Sequence, residues 1–130
     1  MSHPRVHIDR IDHVVLTVTD LEATATFYER LGFHRELFGD GRTALHAGTN
    51  KINLHEAGRE FEPKADRPTP GSGDLCVVLG VPLDEAIATL DAASIVIEEG
   101  PVDRTGALGP IRSVYVRDPD RNLIELSQYL

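Results

Sequence analysis

The sequence predicts an α+β fold made of two similar units, each with a strand, a helix and three further strands. Short aliphatic segments alternate with turn residues, and a helix-start signal follows the first strand of each half. The order of elements in about residues 9–58 recurs in residues 72–130. We therefore expect one pseudo-symmetric domain over residues 1–130, with a linker at residues 59–71.

The first half contains one helix between strands. Residues 11–18 form a short aliphatic segment typical of a strand, and Asp20 after it is a favoured helix N-cap. Leu21 and Tyr28 then fall at helical spacing, and Gly32 ends the helix. The segments that follow alternate with glycine-containing turns and predict strands over residues 33–38, 43–47 and 51–55.

The second half repeats this order after an irregular segment. Residues 57–73 hold three prolines, which favour irregular structure. Pro82 is a typical first helical residue, and the helix that it begins is predicted to run to about Ala92. The remaining aliphatic segments predict strands over residues 74–79, 95–98, 111–117 and 123–127, with a loop at 100–110.

Composition excludes several classes of protein. The formal net charge is −8 over 130 residues, which argues against a nucleic-acid partner, because such binding depends on basic side chains. Cys76 is the only cysteine, so no internal disulfide is expected and a reducing compartment is favoured. We find no apolar run long enough for a membrane span and no signal-peptide pattern at the start. These observations predict a cytoplasmic protein.

Glu125 is the least expected residue of the last strand. It lies within the apolar run at residues 122–126, directly after a turn at residues 117–121. A buried carboxylate without a partner costs several kcal/mol or takes up a proton, so we expect a partner to meet Glu125. One interpretation is a metal ion shared with histidines, and the other is a strand residue that faces water.

Alternation along the strands places further polar residues on the same side as Glu125. His13 and Asp74 occupy the same position in the first strand of each half, and Asn53 or His55 lies in the strand that corresponds to the strand of Glu125. Imidazole and carboxylate ligands suit Zn²⁺, Ni²⁺, Mn²⁺ or Fe²⁺, and an open coordination position would make the site catalytic. The sequence therefore predicts one divalent metal ion and a small-molecule substrate.

Three segments carry a family resemblance that covers about residues 9–128: residues 11–16 (IDHVVL), 27–33 (FYERLGF) and 118–125 (DPDRNLIE). They resemble the vicinal oxygen chelate superfamily, which includes glyoxalase I, fosfomycin-resistance proteins, bleomycin-resistance proteins and extradiol dioxygenases. Other segments are similar to the subgroup called glyoxalase domain-containing protein five and its bacterial virulence-associated relatives; they are residues 51–56, 68–72, 99–102 and 104–107.

The resemblance implies two βαβββ modules whose mixed sheets curl into a cup around one metal ion, commonly in a homodimer. His13 and Glu125 stand at the ligand positions that the family uses most regularly. Asp74 stands where many members have histidine or glutamate. Asn53 stands where glyoxalase I has a metal-binding glutamate, so that ligand would move to His55 on the same face.

The family suggests three functions. The first is a metal-dependent lyase or isomerase of the glyoxalase type that acts on adjacent oxygens, for example in a thiol adduct, with Glu125 or Asp74 as the base. The second is an Fe(II) extradiol-type dioxygenase that uses His13, His55 and Glu125. The third is a metal-free protein that binds a drug or toxin. We favour the first, because the candidate ligands are retained and a dioxygenase would have histidine in place of Asp74.

The sequence also predicts roles or properties for five further residues. Asn53, Arg104 and Arg117 are candidate substrate-binding residues, and the arginines suit a carboxylate. Cys76 is expected to be a small buried residue rather than a reactive thiol. Arg121 replaces the family's usual glycine, which costs roughly 1 kcal/mol if the backbone there has a positive φ.

Overall fold

Two helices and eight strands form two βαβββ modules in the computed structural model, which describes residues 3–130. The first module contains β1 (His13–Val18), α1 (Leu21–Arg30), β2 (His34–Phe38), β3 (Arg42–Ala47) and β4 (Asn50–Glu56). The second contains β5 (Asp74–Val78), α2 (Leu83–Ala92), β6 (Glu99–Gly106), β7 (Gly109–Arg117) and β8 (Leu123–Tyr129). The predicted order of elements is confirmed.

Each module contributes one mixed sheet. The N-terminal sheet has the strand order β1-β4-β3-β2, and the C-terminal sheet has the order β5-β8-β7-β6. In each sheet the first strand of the module runs parallel to the last, and the other neighbours are antiparallel. Within residues 3–130 the two sheets do not close into a barrel. The irregular segment at residues 57–73, which includes the linker at residues 59–71, contains neither helix nor strand, as predicted.

Both helices cover the aliphatic side of the sheets. The Asp20 side chain accepts a hydrogen bond from the backbone N–H of Ala23 at 3.0 Å and so caps α1. Gly32, with φ of 104°, ends the helix in a conformation that favours glycine. Helix α2 lacks a side-chain cap, and the backbone N–H of Leu83 donates instead to Gln128 at 2.7 Å. Neither helix of the described chain is long and apolar enough to cross a membrane.

The core is aliphatic, as the composition indicates. Leu16 and Val18 of β1 are buried against it, which confirms the predicted inner face of that strand. Val14, expected on the same inner face, is 37% exposed and lines a cavity. On β8, Glu125 and Ser127 line a cavity.

The β6–β7 hairpin is the main correction to the predicted elements. Residues 95–98 do not form a strand, and most of the predicted loop at 100–110 belongs to β6 and β7. The pairing shifts between Glu99 and Val102, and Gly100 there has φ of 114°. A Cβ on Gly100 would lie 2.5 Å from the carbonyl oxygen of Ser113. The glycine and proline therefore mark a bulge within a strand rather than a loop.

The turn before β8 is built around a buried carboxylate. Asp118 is 3% exposed, and its Oδ1 accepts the backbone N–H groups of Asp120 and Asn122 at 2.9 Å each. Its Oδ2 accepts from the Asn122 side-chain amide and from the Tyr28 hydroxyl of α1, each at 2.8 Å. This turn sets the start of the strand that carries Glu125 and attaches it to the first module.

Candidate functional site

Glu125 lies on β8, between Cys76 of β5 and Tyr115 of β7 in the pairing register. The fully buried Ser113 hydroxyl donates a hydrogen bond to Glu125 Oε2 at 2.7 Å, and the Ser127 hydroxyl lies 3.4 Å from the same oxygen. Among the described residues, no hydrogen bond reaches the second oxygen, Oε1. The partner expected for this carboxylate thus includes two serines, which fix one oxygen and leave the other available.

The hydrogen bonds continue from the serines to a thiol. The Ser113 and Ser127 hydroxyl oxygens are 2.7 Å apart, and Cys76 Sγ lies 3.2 Å from Ser127 Oγ. Cys76 is exposed rather than buried, so the expectation of a small buried residue is wrong. Partial burial of the thiol group raises its pKa, with Glu125 and Asp74 as further causes. These shifts favour the neutral thiol, which is a poor nucleophile.

His13 begins β1 and is exposed on its polar side. Its Nδ1 lies 2.8 Å from the carboxylate of Asp12, and this hydrogen bond lowers the pKa of Asp12. A carboxylate on one ring nitrogen orients the imidazole and favours the tautomer whose Nε2 carries a free lone pair. The arrangement is the one usual for a histidine that binds a metal through Nε2.

Asn53 and His55 are both buried on β4. Asn53 lies opposite Val15 of β1, and its buried Oδ1 has no hydrogen-bond partner among the described residues. The His55 ring packs edge-on against Phe61 of the linker, with 5.6 Å between ring centroids. Burial lowers the pKa of His55, and the nearby Arg42 lowers it further, so the neutral imidazole is favoured.

The other predicted site residues differ in whether they line the cavity beside Glu125. Asp74 starts β5 and is exposed. Arg117 is bound to Glu98, with its Nη2 2.9 Å from Oε2, and it does not line the cavity of Glu125. Arg104 does line that cavity. The structure thus brings Arg104, but neither Asn53 nor Arg117, to the cavity beside Glu125.

Two cavities flank β5. One, of about 370 Å³, is lined by Glu125 and Arg104, and the other, of about 520 Å³, is lined by His13. Cys76 and Val78 line both cavities. A third cavity, of about 540 Å³, lies between His55, β1 and the linker.

The predicted metal ligands are divided between the two sheets. His13, Asn53 and His55 lie on the N-terminal sheet, whereas Asp74 and Glu125 lie on the C-terminal sheet. Across residues 3–130, no three His, Cys, Asp or Glu side chains gather in a group that could hold a metal ion. Each of these residues by itself suits a metal ion, since His13 is oriented by Asp12 and Glu125 is fixed through one oxygen. That they bind one metal ion together remains a prediction.

Sequence reasoning missed two residues that orient the candidate ligands. The strand pattern gives no role to Asp12, although this residue directly precedes His13. The pattern cannot identify Ser113, because its position opposite Ser127 depends on the register of β7 against β8, which the sequence does not specify. Alternation alone would have placed Ser113 on the same side of β7 as Tyr115.

Comparison with known proteins identifies the family. The model of the Glyoxalase/Bleomycin resistance protein/Dioxygenase superfamily matches residues 10–126. The chain belongs to this superfamily. Its α+β fold of two βαβββ modules that form a curled, mixed-sheet cup is therefore confirmed, and so is the family resemblance read from the sequence.

Two relatives are similar along nearly the whole chain. Virulence protein STM3117 of Salmonella typhimurium is 56% identical over 124 residues, which cover 95% of this chain and 86% of that protein. Its crystal structure has a TM-score of 0.94 and covers 96% of this chain and 100% of that one. Glyoxalase domain-containing protein RDO1 of Mycosarcoma maydis is 53% identical over 125 residues, which cover 96% of this chain and 71% of that protein.

A more distant member of the superfamily is named as an enzyme. The crystal structure of lactoylglutathione lyase from Agrobacterium tumefaciens is 25% identical, with a TM-score of 0.70. The match covers 93% of this chain and 94% of that one. The superfamily thus includes lyases, whereas the two more similar relatives are named only as a virulence protein and a domain-containing protein.

Proposed function

We propose that this member of the superfamily is a metal-dependent lyase or isomerase of the glyoxalase type. It acts on a small molecule with adjacent oxygen atoms, such as a thiol adduct. The main support for the proposal is the environment of Glu125. Its Oε2 accepts a hydrogen bond from Ser113, and its carboxylate lines a cavity. A base fixed through one oxygen can take a proton through the other without first having to be oriented.

The proposed reaction moves one proton between neighbouring carbon atoms. Glu125 takes the proton from the carbon that bears a hydroxyl group, and the C–H electron pair shifts toward the adjacent carbonyl. Glu125 then returns the proton to the neighbouring carbon, and the hydroxyl proton passes to the former carbonyl oxygen while the hydroxyl-bearing carbon becomes the new carbonyl, so substrate and product contain the same atoms. Asp74, which is exposed at the start of β5, is the second candidate base.

A divalent ion, Zn²⁺, Ni²⁺, Mn²⁺ or Fe²⁺, would supply Lewis-acid polarisation of the substrate oxygens when bound. His13 and Glu125 are the proposed principal ligands, with Asp74 and His55 completing the set. The hydrogen bond from His13 Nδ1 to Asp12 supports the first of these roles. The buried Asn53 Oδ1, which has no partner among the described residues, is a further oxygen donor on the same sheet.

A homodimer would bring the two halves of this ligand set together. Each chain presents one polar sheet face with His13 and another with Glu125, and in the described part of one chain these do not form a metal-binding group. We propose that the N-terminal sheet of one chain faces the C-terminal sheet of a second copy. The exposed Val15 and Val78, on strands at the edges of the two sheets, support contact with another chain.

Metal analysis tests the proposal directly. The protein is purified without chelator, exposed separately to each of the four ions and analysed after removal of free metal. We expect about one ion per chain, because His13 and Glu125 are already oriented as ligands. Glu125→Gln should remove most of the bound metal. Glu85→Gln, a change of an exposed carboxylate in the first turn of α2, is the matched control and should retain it.

A protein that binds none of the four ions would contradict the metal-dependent function. The second candidate is then a metal-free small-molecule binder, which the division of the donors between the two sheets favours.

Oxygen consumption with catechols by the Fe²⁺-loaded form would instead support the extradiol-type dioxygenase.

A further inference from the structure

The cavity beside Glu125 combines one cation, one carboxylate and apolar walls. Its volume of about 370 Å³ equals roughly twelve water molecules at 30 Å³ each, which suits a small organic molecule. Val78, Ile111 and Tyr129 supply apolar and aromatic surface. Arg104 is its only Lys or Arg and Glu125 its only Asp or Glu among the described lining residues.

The structure holds the guanidinium of Arg104 in a defined orientation. Its Nε donates to the Tyr115 hydroxyl at 3.0 Å, and its Nη1 donates to the backbone carbonyl of Asp103 at 3.0 Å. Tyr115 lies opposite Glu125 in the pairing of β7 with β8, so the same strand pair positions both charged groups. The fork of an arginine fixed in this way matches the two oxygens of a carboxylate.

The existing ion pair of Arg104 is weak. Its Nη2 lies 3.4 Å from Glu99, and both side chains are largely exposed. Exposed pairs at this distance contribute little, because water and salt screen them. A ligand carboxylate that enters the more enclosed cavity can therefore replace Glu99 as the partner of Arg104.

We propose that this cavity binds a small organic acid whose carboxylate pairs with Arg104, with the apolar part of the acid against Val78, Ile111 and Tyr129. The inference rests on the proposed function for the role of Glu125, and it extends that function by naming the substrate class. The bound acid presents a carbon atom to Glu125. Arg104 is thus a specificity-determining residue, and neutral analogues of the same shape bind poorly.

Phenylacetate and phenylacetamide test the proposal, since they share a shape and differ in charge. Neither carries a second oxygen on the neighbouring carbon, so neither mimics the adjacent-oxygen substrate. Calorimetric titrations with chelator-treated and metal-loaded protein are expected to show phenylacetate binding at least tenfold more tightly. Arg104→Met should abolish this preference. Arg112→Met is the matched control, because Arg112 is a β7 arginine paired with Asp103 outside the cavity, and it should keep the preference.

Equal affinity for the two probes, no binding of phenylacetate, or a preference that survives Arg104→Met would each overturn the inference. Backbone NMR gives a second readout that does not depend on the variant. Phenylacetate should shift the amide signals of Thr105 and Glu125, and shifts confined to other regions would also overturn it. The charge preference in chelator-treated protein does not depend on metal, so its outcome is separate from that of the metal analysis.

Discussion

Arg121 holds a backbone conformation that usually belongs to glycine. Its φ is 71°, where the Cβ of an ordinary residue crowds the following backbone. The conformation is retained because the turn needs it: the backbone N–H of Arg121 donates to the carbonyl of Asp118 at 2.9 Å. The sequence leaves open whether the arginine that replaces the family's glycine is strained or the turn has another geometry, and the structure shows the positive φ.

Arg121→Gly is expected to stabilise the protein. The change relieves a strain of about 1–2 kcal/mol, of which the extra freedom of glycine in the unfolded chain offsets about 0.5–1 kcal/mol. Urea unfolding should therefore show a gain of up to about 1.5 kcal/mol. Arg121→Val, with a β-branched side chain at the same φ, should lower stability, and a loss of stability in the glycine variant would contradict the strain argument.

Tyr28→Phe is expected to destabilise the turn before β8. The change removes the hydroxyl that donates to Asp118 Oδ2 and leaves the buried carboxylate with one donor fewer. Hydrogen bonds to charged groups contribute about 1.5–3 kcal/mol, so urea unfolding should show a loss of that size. Phe27→Leu, a change in a partly buried neighbour on α1 that makes no hydrogen bond, controls for a general loss of packing. A loss of less than about 0.5 kcal/mol for Tyr28→Phe would contradict the argument.

The side of the sheet on which a residue lies could be predicted where the pattern of a single strand was sufficient. Alternation predicts that His13 and Glu125 lie on the polar sides of their strands. The neighbours of Glu125 along β8, Ile124 and Leu126, are in the core, whereas Glu125 accepts a hydrogen bond from Ser113. His13 is exposed at the start of β1. The contacts of Glu125 with Ser113 and of Tyr28 with Asp118 could not be predicted, because they join residues 12 and 90 positions apart. Such contacts depend on register and on packing between modules.

At the scale of elements, an arginine on β2 holds α1 to its sheet. Arg35 donates to Glu22 at 2.7 Å and to Glu29 at 2.9 Å, and these acids lie at the two ends of the helix. The hydrogen bond from Arg35 lowers the pKa of Glu22 below its ordinary value, with charge attraction to Arg35 as the second cause.

Glu22→Gln is therefore expected to reduce stability in a pH-dependent way. A carboxyl whose pKa is lower in the folded state stabilises that state above the unfolded pKa, and the stabilisation is lost as pH falls through the folded pKa. Urea unfolding should show the variant to be less stable at pH 7, with the difference shrinking from pH 5 to pH 3. Glu85→Gln removes another first-turn acid that has no arginine partner in the described structure, and it should show a smaller difference.

The β6–β7 hairpin shows why element boundaries were harder to predict than element order. The sequence pattern predicts that Gly100 and Gly106 are loop residues, but both lie in β6, where another group comes close. A Cβ on Gly106 would lie 2.6 Å from the Tyr129 hydroxyl, which accepts the backbone N–H of Leu108 at 3.1 Å. A glycine that makes room for a neighbour looks the same in sequence as a glycine in a turn.

For the whole molecule, mixing two variants tests whether the proposed site is shared between chains. His13→Ala and Glu125→Gln homodimers should each bind little metal. In a mixed dimer, one site carries both changes and the other carries neither, so refolding an equal mixture should restore roughly a quarter of an ion per chain, provided that chains pair at random. Elemental analysis of the separated dimer fraction measures this recovery. An absence of recovery in a dimer fraction shown by mass spectrometry to contain both variants would contradict the shared site.

The whole fold followed from the internal repeat and the family motifs, whereas the completed site did not. The repeat predicts two modules, and both are present. It could not show that His13 and Glu125 do not form a metal-binding group within the described chain. Their grouping depends on how one sheet meets another, and strand patterns carry no information about that arrangement.

Because Tyr28 of the first half donates a hydrogen bond to Asp118 of the second, the two halves of the repeat are not interchangeable. Leu21 aligns with Leu83, so Leu90 is the counterpart of Tyr28, and leucine offers no hydroxyl. A chain assembled from two copies of the first half would contain two such tyrosines and no Asp118 to receive them. The second half thus accepts a hydrogen bond that only the first half can donate, so the two halves differ in role although they share a fold.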